Sequence, residues 1–232
     1  GSALYGYGNP NRNGAVEVWE FVNNAWALKG SKIIGNTNTT SNPERVGNSV
    51  SINGAGNIIA YGAPGWEDPY TSSGQVKIFE WDGSDWSQKG SNINGDGLDR
   101  LGTDVRLNEL GNKIVILGRY HVEVWELSGN TLSQLGSDIN EICESGDFYR
   151  ASVDISDDGD FIVISAPECD DGIVFNYKWN GSNWSQQIEN IYIPSASDGN
   201  FGLSISLTGD EKRIAVGFVR SNSVRVYKTS ED

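Results

Sequence analysis

His121, Cys143 and Cys169 are the only histidine and cysteines of the chain, and they limit the reactions it could run. A Ser-His-Asp or Cys-His nucleophile would have to use His121 as its base. That residue opens the alternating run His121-Val122-Glu123-Val124-Trp125, so it reads as a structural or solvent-facing strand residue. One His and two distant Cys do not make a zinc site. No phosphate-binding Gly-rich loop or dinucleotide fingerprint is present. Carboxylates abound, but none is paired in a way that singles out glycosidase chemistry. No catalytic residue and no metal ligand is therefore assigned, and the chain reads as a non-enzymatic protein without a cofactor. The hairpin Ser156-Asp157-Asp158-Gly159-Asp160 brings three carboxylates together at the spacing of a tight turn, with calcium as the weaker reading. What remains is binding chemistry. Trp66, Glu67, Asp68 and Tyr70 fall within five residues, and Phe148 and Tyr149 stand beside Asp147. Aromatics next to carboxylates suit protein contact or sugar recognition.

Charge narrows the partners. Seventeen Lys and Arg against 31 Asp and Glu give a net charge of −14. A nucleic-acid binder or a polybasic membrane binder needs the opposite sign. No apolar run approaches the ~20 residues of a membrane helix, and no signal peptide is visible. The chain has no Met, so a mature form or a fragment is expected.

The elements that must position these residues come from a repeat. One motif recurs as Ala15-Val16-Glu17-Val18-Trp19-Glu20-Phe21, Gln75-Val76-Lys77-Ile78-Phe79-Glu80-Trp81 and His121-Val122-Glu123-Val124-Trp125-Glu126-Leu127. It returns at Ile173-Val174-Phe175-Asn176-Tyr177-Lys178-Trp179 and Ser223-Val224-Arg225-Val226-Tyr227-Lys228. This is strand d. Turn-formers follow it, then Trp26, Trp86, Leu132 or Trp184 opens strand a. After a loop comes strand b, containing Val50, Val105, Val153 and Ile205. Strand c follows at Ile58-Ile59-Ala60-Tyr61, Ile114-Val115-Ile116-Leu117, Phe161-Ile162-Val163-Ile164 and Ile214-Ala215-Val216, with Ala3-Leu4-Tyr5-Gly6 as a fifth.

Strand d carries apolar residues on both faces, so its sheet must have neighbours on both sides. Stacked four-stranded blades supply them. The expected fold is all-β: a single β-propeller domain over 1–232, with four-stranded antiparallel blades. About five repeat units are expected, at approximately 3–33, 46–93, 101–139, 148–193 and 201–228. The terminal blades are incomplete, since the first lacks strand b and the last lacks strand a. A trimmed five-bladed ring, a piece of a longer propeller, and strands supplied by another chain all remain open. Strand alternation puts the long a–b and c–d loops, including 62–74, on one face of the disc, where binding is expected. Arg106 and Asp154 hold one position of successive inner strands and are expected to form an ion pair or water-bridged contact lining the channel.

The b–c unit resembles the FG-GAP repeat of integrin-type propellers. Phe201-Gly202 opens strand b, with Leu101-Gly102 and Val46-Gly47 as variants. Gly62-Ala63-Pro64 and Ala166-Pro167 close strand c. Leu135-Gly136-Ser137-Asp138-Ile139, Ser49-Val50-Ser51 and Asp158-Gly159 make the chain similar to secreted propeller repeats of marine microbes and algae. The resemblance implies a secreted, extracellular binding or scaffold module that contacts protein, matrix or adhesion partners, with a lectin-like propeller as the alternative and a polysaccharide-active enzyme behind both. Self-association through the incomplete terminal blades is a further reading. Cys143 and Cys169 lie in loops on the same edge of one blade, as a disulfide requires, and an oxidising compartment would follow. In a eukaryotic secreted source, Asn38, Asn180 and Asn183 are glycosylation acceptors.

Overall fold

A computed structural model describes residues 13–35, 43–67, 72–140, 150–169, 172–187, 189–192, 201–218 and 222–229, and every regular element among them is a strand. The first described segment is one long hairpin. Strands β1 (Ala15–Val16) and β2 (Trp19–Val22) return as β3 (Ala25–Leu28) and β4 (Ile33–Ile34). Asn23 and Asn24 turn it with φ of 52° and 62°, the left-handed pair that matches strand twist in a two-residue turn.

Blades follow in series. The first is β5 (Ser49–Ile52), β6 (Ile58–Ala63), β7 (Gln75–Trp81) and β8 (Trp86–Asn94), paired antiparallel in that order. The second is β9 (Asp104–Leu107), β10 (Lys113–Leu117), β11 (Val122–Ser128) and β12 (Thr131–Gln134). The third is β13 (Val153–Ile155), β14 (Phe161–Ala166), β15 (Ile173–Trp179) and β16 (Trp184–Gln186), with β17 (Ile191–Tyr192) also on β15. The fourth has, among the described residues, three strands, β18 (Phe201–Leu207), β19 (Arg213–Phe218) and β20 (Ser223–Lys228). The protein is thus a four-bladed array preceded by a d–a hairpin. The expected strand at Ala3–Gly6 lies outside the described residues.

Strands β5, β9, β13 and β18 touch in succession along the inner edge. The core lies between blades. Val76 and Ile78 of the first blade pack with Val105, Leu107, Ile114 and Ile116 of the second. Val122 and Val124 meet Val153, Ile155, Ile162 and Ile164 of the third. Val163 and Val174 meet Phe201, Ile205, Leu207 and Ile214 of the fourth. The two-faced strand d is what makes this possible, since each blade offers one apolar face forward and one back.

The glycines that end strand c and open strand b have a packing role here. A Cβ on Gly62 would stand 1.9 Å from the Gly102 carbonyl oxygen, and Gly102 itself has φ of +88°. The end of strand c therefore approaches the start of the next strand b at backbone contact, where only glycine fits. Phe201, fully buried at 0%, fills the equivalent seam with Phe218, ring centroids 4.7 Å apart.

Candidate functional site

The inner edge of each blade would leave strand b amides unpaired, and the sequence solves this with polar side chains. Ser49 Oγ accepts from Val105 N at 3.0 Å and donates to Asp104 Oδ1 at 2.8 Å. Ser51 Oγ accepts from Leu107 N at 2.9 Å. One blade on, Asp104 Oδ2 accepts from Val153 N at 3.2 Å and from Ser152 Oγ at 3.0 Å. Asp154 Oδ2 accepts from Leu207 N at 2.7 Å. Each inner strand thus lends acceptors to the next.

Arg106 interrupts this ladder, because guanidinium has no acceptor. Among the described residues the expected ion pair or water-bridged contact of Arg106 with Asp154 is not a direct hydrogen-bonded pair, though the Arg106 charge acts on Asp154. Arg106 Nη1 donates instead to Asp104 Oδ1 at 2.6 Å, two residues back in its own strand, and to Val105 O at 2.8 Å. Asp154 Oδ1 accepts from Ile155 N at 3.0 Å, the amide that residue 106 would otherwise have served. Burial raises the Asp154 pKa, against its two amide bonds and the nearby Arg106 charge.

On the long-loop face, Trp66 is half-buried and packs against the cluster of Val16, Val46, Ile59, Tyr61 and Ala63. Its amide donates to Ala63 O at 3.0 Å, and its carbonyl accepts from Gly74 N at 3.1 Å. The side chain braces the loop stem, and Glu67 beside it is half-buried. Asp68, Tyr70, Phe148 and Tyr149 lie outside the described residues, as do Cys143 and Asn38. Cys169 is 5% exposed and disulfide-bonded.

Asn180 and Asn183 are exposed in the β15–β16 turn. Asn180 Oδ1 accepts from Ser182 N at 3.0 Å and Asn183 N at 2.9 Å. Asn183 Oδ1 accepts from Trp184 N at 3.0 Å. In the first blade Asp82 and Asp85 make the same bonds; the Asp85 and Ser84 amides hold Asp82 below the ordinary carboxylate range, and Ser31, ahead of the Trp86 amide, holds Asp85 below it. Turn chemistry alone accounts for this pattern. The Asp157–Asp160 hairpin is likewise a turn: Asp158 Oδ1 accepts from Ser156 Oγ at 2.6 Å and Asp160 N at 2.9 Å, while Lys113 Nζ pairs with Asp160 at 2.5 Å.

Sequence reasoning did not single out an exposed apolar surface on the first hairpin. Trp19, Phe21, Trp26 and Leu28 share one face of the β2–β3 hairpin, and Phe21 and Trp26 stand directly opposite at 5.4 Å between rings. They are 50%, 59%, 67% and 44% exposed. Their counterparts in the first blade, Phe79, Trp81 and Trp86, are covered by Val16 and Val18 of the preceding hairpin. Trp86 Nε1 also donates across that seam to Lys29 O at 2.8 Å, as Trp184 Nε1 does to Leu135 O at 2.9 Å. At the other end of the array, Val224 and Val226 repeat Val16 and Val18 and are 69% and 62% exposed. The signal was in the repeat: these positions match strand-d residues that are covered in the inner blades.

His121 is held between Asp99 Oδ1, 3.4 Å from Nδ1, and Glu123 Oε1, 2.9 Å from Nε2. Burial pulls the imidazole pKa down, but the Glu123 bond and the Asp99 charge outweigh it and leave the pKa above its ordinary value.

No protein-family profile matches the chain, and no curated protein matches it by sequence. Solved structures do. A provisionally assigned 6-phosphogluconolactonase of Bacteroides fragilis superposes with a TM-score of 0.62 at 12% identity, over 93% of this chain and 61% of that one. Another from Bacteroides uniformis gives 0.58 at 11%, over 96% and 76%. The β-propeller domain of Cps50 (Swd1) from Myceliophteria thermophila gives 0.60 at 12%, over 96% and 62%. The chain thus spans a little over three fifths of the first and third of these proteins. Likeness at this level of identity shows the fold, and that fold is the β-propeller.

Proposed function

We propose that this chain is an extracellular, non-enzymatic contact module that assembles head-to-tail with a second copy of itself through its two blade ends. One observation carries the reading: the two exposed apolar ends are the two halves of an interface the chain already makes internally. Val16 and Val18 cover Phe79, Trp81 and Trp86. Val224 and Val226 of one copy are the same repeat positions, and Trp19, Phe21 and Trp26 of the next are the surface they match. Exposed aromatic patches of this size tend to mark contact sites. The contact is heterologous, so copies build rings or open chains according to the rotation between them. The buried, disulfide-bonded Cys169 supports an oxidising, extracellular setting.

Size-exclusion chromatography with light scattering tests the assembly. The wild-type chain should form dimers or larger species as concentration rises. Trp26→Glu and Val226→Glu should each give monomers. Mixing the two variants should restore a dimer, because each retains one intact end. A monomeric wild type at high concentration, or a mixture that stays monomeric, overturns the reading.

A further inference from the structure

We infer that His121, Glu123 and Asp138 form a binding site for one divalent transition-metal ion of the zinc class, positioned by the buried carboxylate of Asp99.

The fold assembles the site from two segments of the chain. His121 and Glu123 lie on one face of strand d, at i and i+2. Asp138 arrives through an antiparallel bridge of Ile139 to Val122, closed by Val122 N to Ile139 O and Ile139 N to Val122 O, each 3.0 Å. One ligand atom from each residue lies within 4.8 Å of the other two. Glu123 Oε2 is occupied by Trp125 Nε1 at 2.6 Å, which fixes the carboxylate and turns Oε1 toward His121 Nε2. Asp138 is exposed and can close the remaining distance.

Asp99 is the independent observation. It lies in the loop before the second blade, and the 118–121 connection wraps around it: Arg119 N donates to Asp99 Oδ1 at 3.1 Å, and Gly118 N to His121 O at 2.9 Å. A Cβ on Gly118 would stand 2.5 Å from Asp99 Oδ1, so glycine there makes room for the carboxylate. The side chain is 5% exposed, and its Oδ2 is buried with no hydrogen-bond partner among the described residues. A buried carboxylate without full pairing calls for positive charge nearby. One imidazole cannot balance Asp99, Glu123 and Asp138 together, whereas a divalent ion beside it can.

The arrangement also has the order that metal sites use. A ligating histidine donates its second ring N–H to a carboxylate, which fixes the tautomer and makes the ring a better ligand. Here Nδ1 faces Asp99 and Nε2 faces the cluster. One nitrogen and two carboxylate oxygens leave a fourth, exchangeable position on a tetrahedral ion. Imidazole favours zinc-class ions over calcium or magnesium.

The test uses the tag-free, chelator-stripped chain with its disulfide intact. Titration calorimetry with Zn²⁺ should give one site per chain, tighter than about 100 µM. Co²⁺ should produce a visible absorption band that His121→Gln abolishes. His121→Gln and Asp138→Asn should weaken Zn²⁺ at least about 10-fold, and Asp99→Asn by about 10–100-fold although it supplies no ligand. Asp138 is exposed, so that variant keeps the fold even where His121→Gln does not. Absence of stoichiometric Zn²⁺ binding, unchanged affinity in Asp138→Asn, or a preference for Ca²⁺ overturns the inference.

Discussion

Ser51 holds Leu107 across a blade seam: its hydroxyl oxygen accepts the Leu107 amide hydrogen at 2.9 Å. Ser206 occupies the same repeat position at the far end of the array, exposed, with no following inner strand among the described residues. Ser51→Ala should therefore destabilise the fold by about 1–3 kcal/mol, the cost of a stranded amide. Ser206→Ala should stay within about 0.5 kcal/mol. Chemical denaturation of the two variants measures the difference; equal effects would remove the ladder as a stabilising device.

The tryptophans that open strand a divide in the same way. Trp86→Phe removes the bond from Nε1 to Lys29 O and should cost about 1 kcal/mol. Trp26→Phe, at a site 67% exposed, should leave the thermal midpoint in place.

Free-thiol titration of the denatured, unreduced protein should find no thiol, with Cys143 as the partner of Cys169. Its closed loop of about 25 residues should contribute about 3 kcal/mol. Reduction should lower the denaturation midpoint accordingly.

Asp154 gives a pH signature. Its folded pKa is raised, chiefly by burial, so the fold favours the protonated form. Stability from this group is gained as pH falls through its raised pKa and lost as pH rises through it. The difference in thermal midpoint between wild type and Asp154→Asn should therefore shift in favour of wild type on going from neutral pH toward about 4. A constant difference over that range would contradict the burial effect.

Much of the architecture was legible because strand d announces two covered faces. Val16 with Val18, and Trp19 with Phe21, make sense only between neighbours, and the turns of Asp82–Asp85 and Asn180–Asn183 mark where each hairpin closes. Trp66 was harder. A lone aromatic in a loop carries no periodicity, so its fold back onto Tyr61 and Ala63 could not be read from spacing. The partners of His121 were hidden for a different reason. Asp99 and Asp138 are 22 and 17 residues away in loops whose approach is set by the Ile139–Val122 bridge and by backbone bonds at Gly118 and Arg119. Arg106 looked like a partner for Asp154 because opposite charges at matching positions suggest pairing. The backbone amides had the stronger claim.

That last arrangement constrains how the chain can change. Where other units carry Ser51 and Ser206, this pair carries an arginine that cannot accept a hydrogen bond and an aspartate that accepts two. With Arg106 in place, Asp154→Ser strands the Ile155 amide, whereas after Arg106→Ser the new hydroxyl can serve it and Asp154→Ser becomes tolerable. The order of substitution matters, because the two positions, one blade apart, serve the same Ile155 amide.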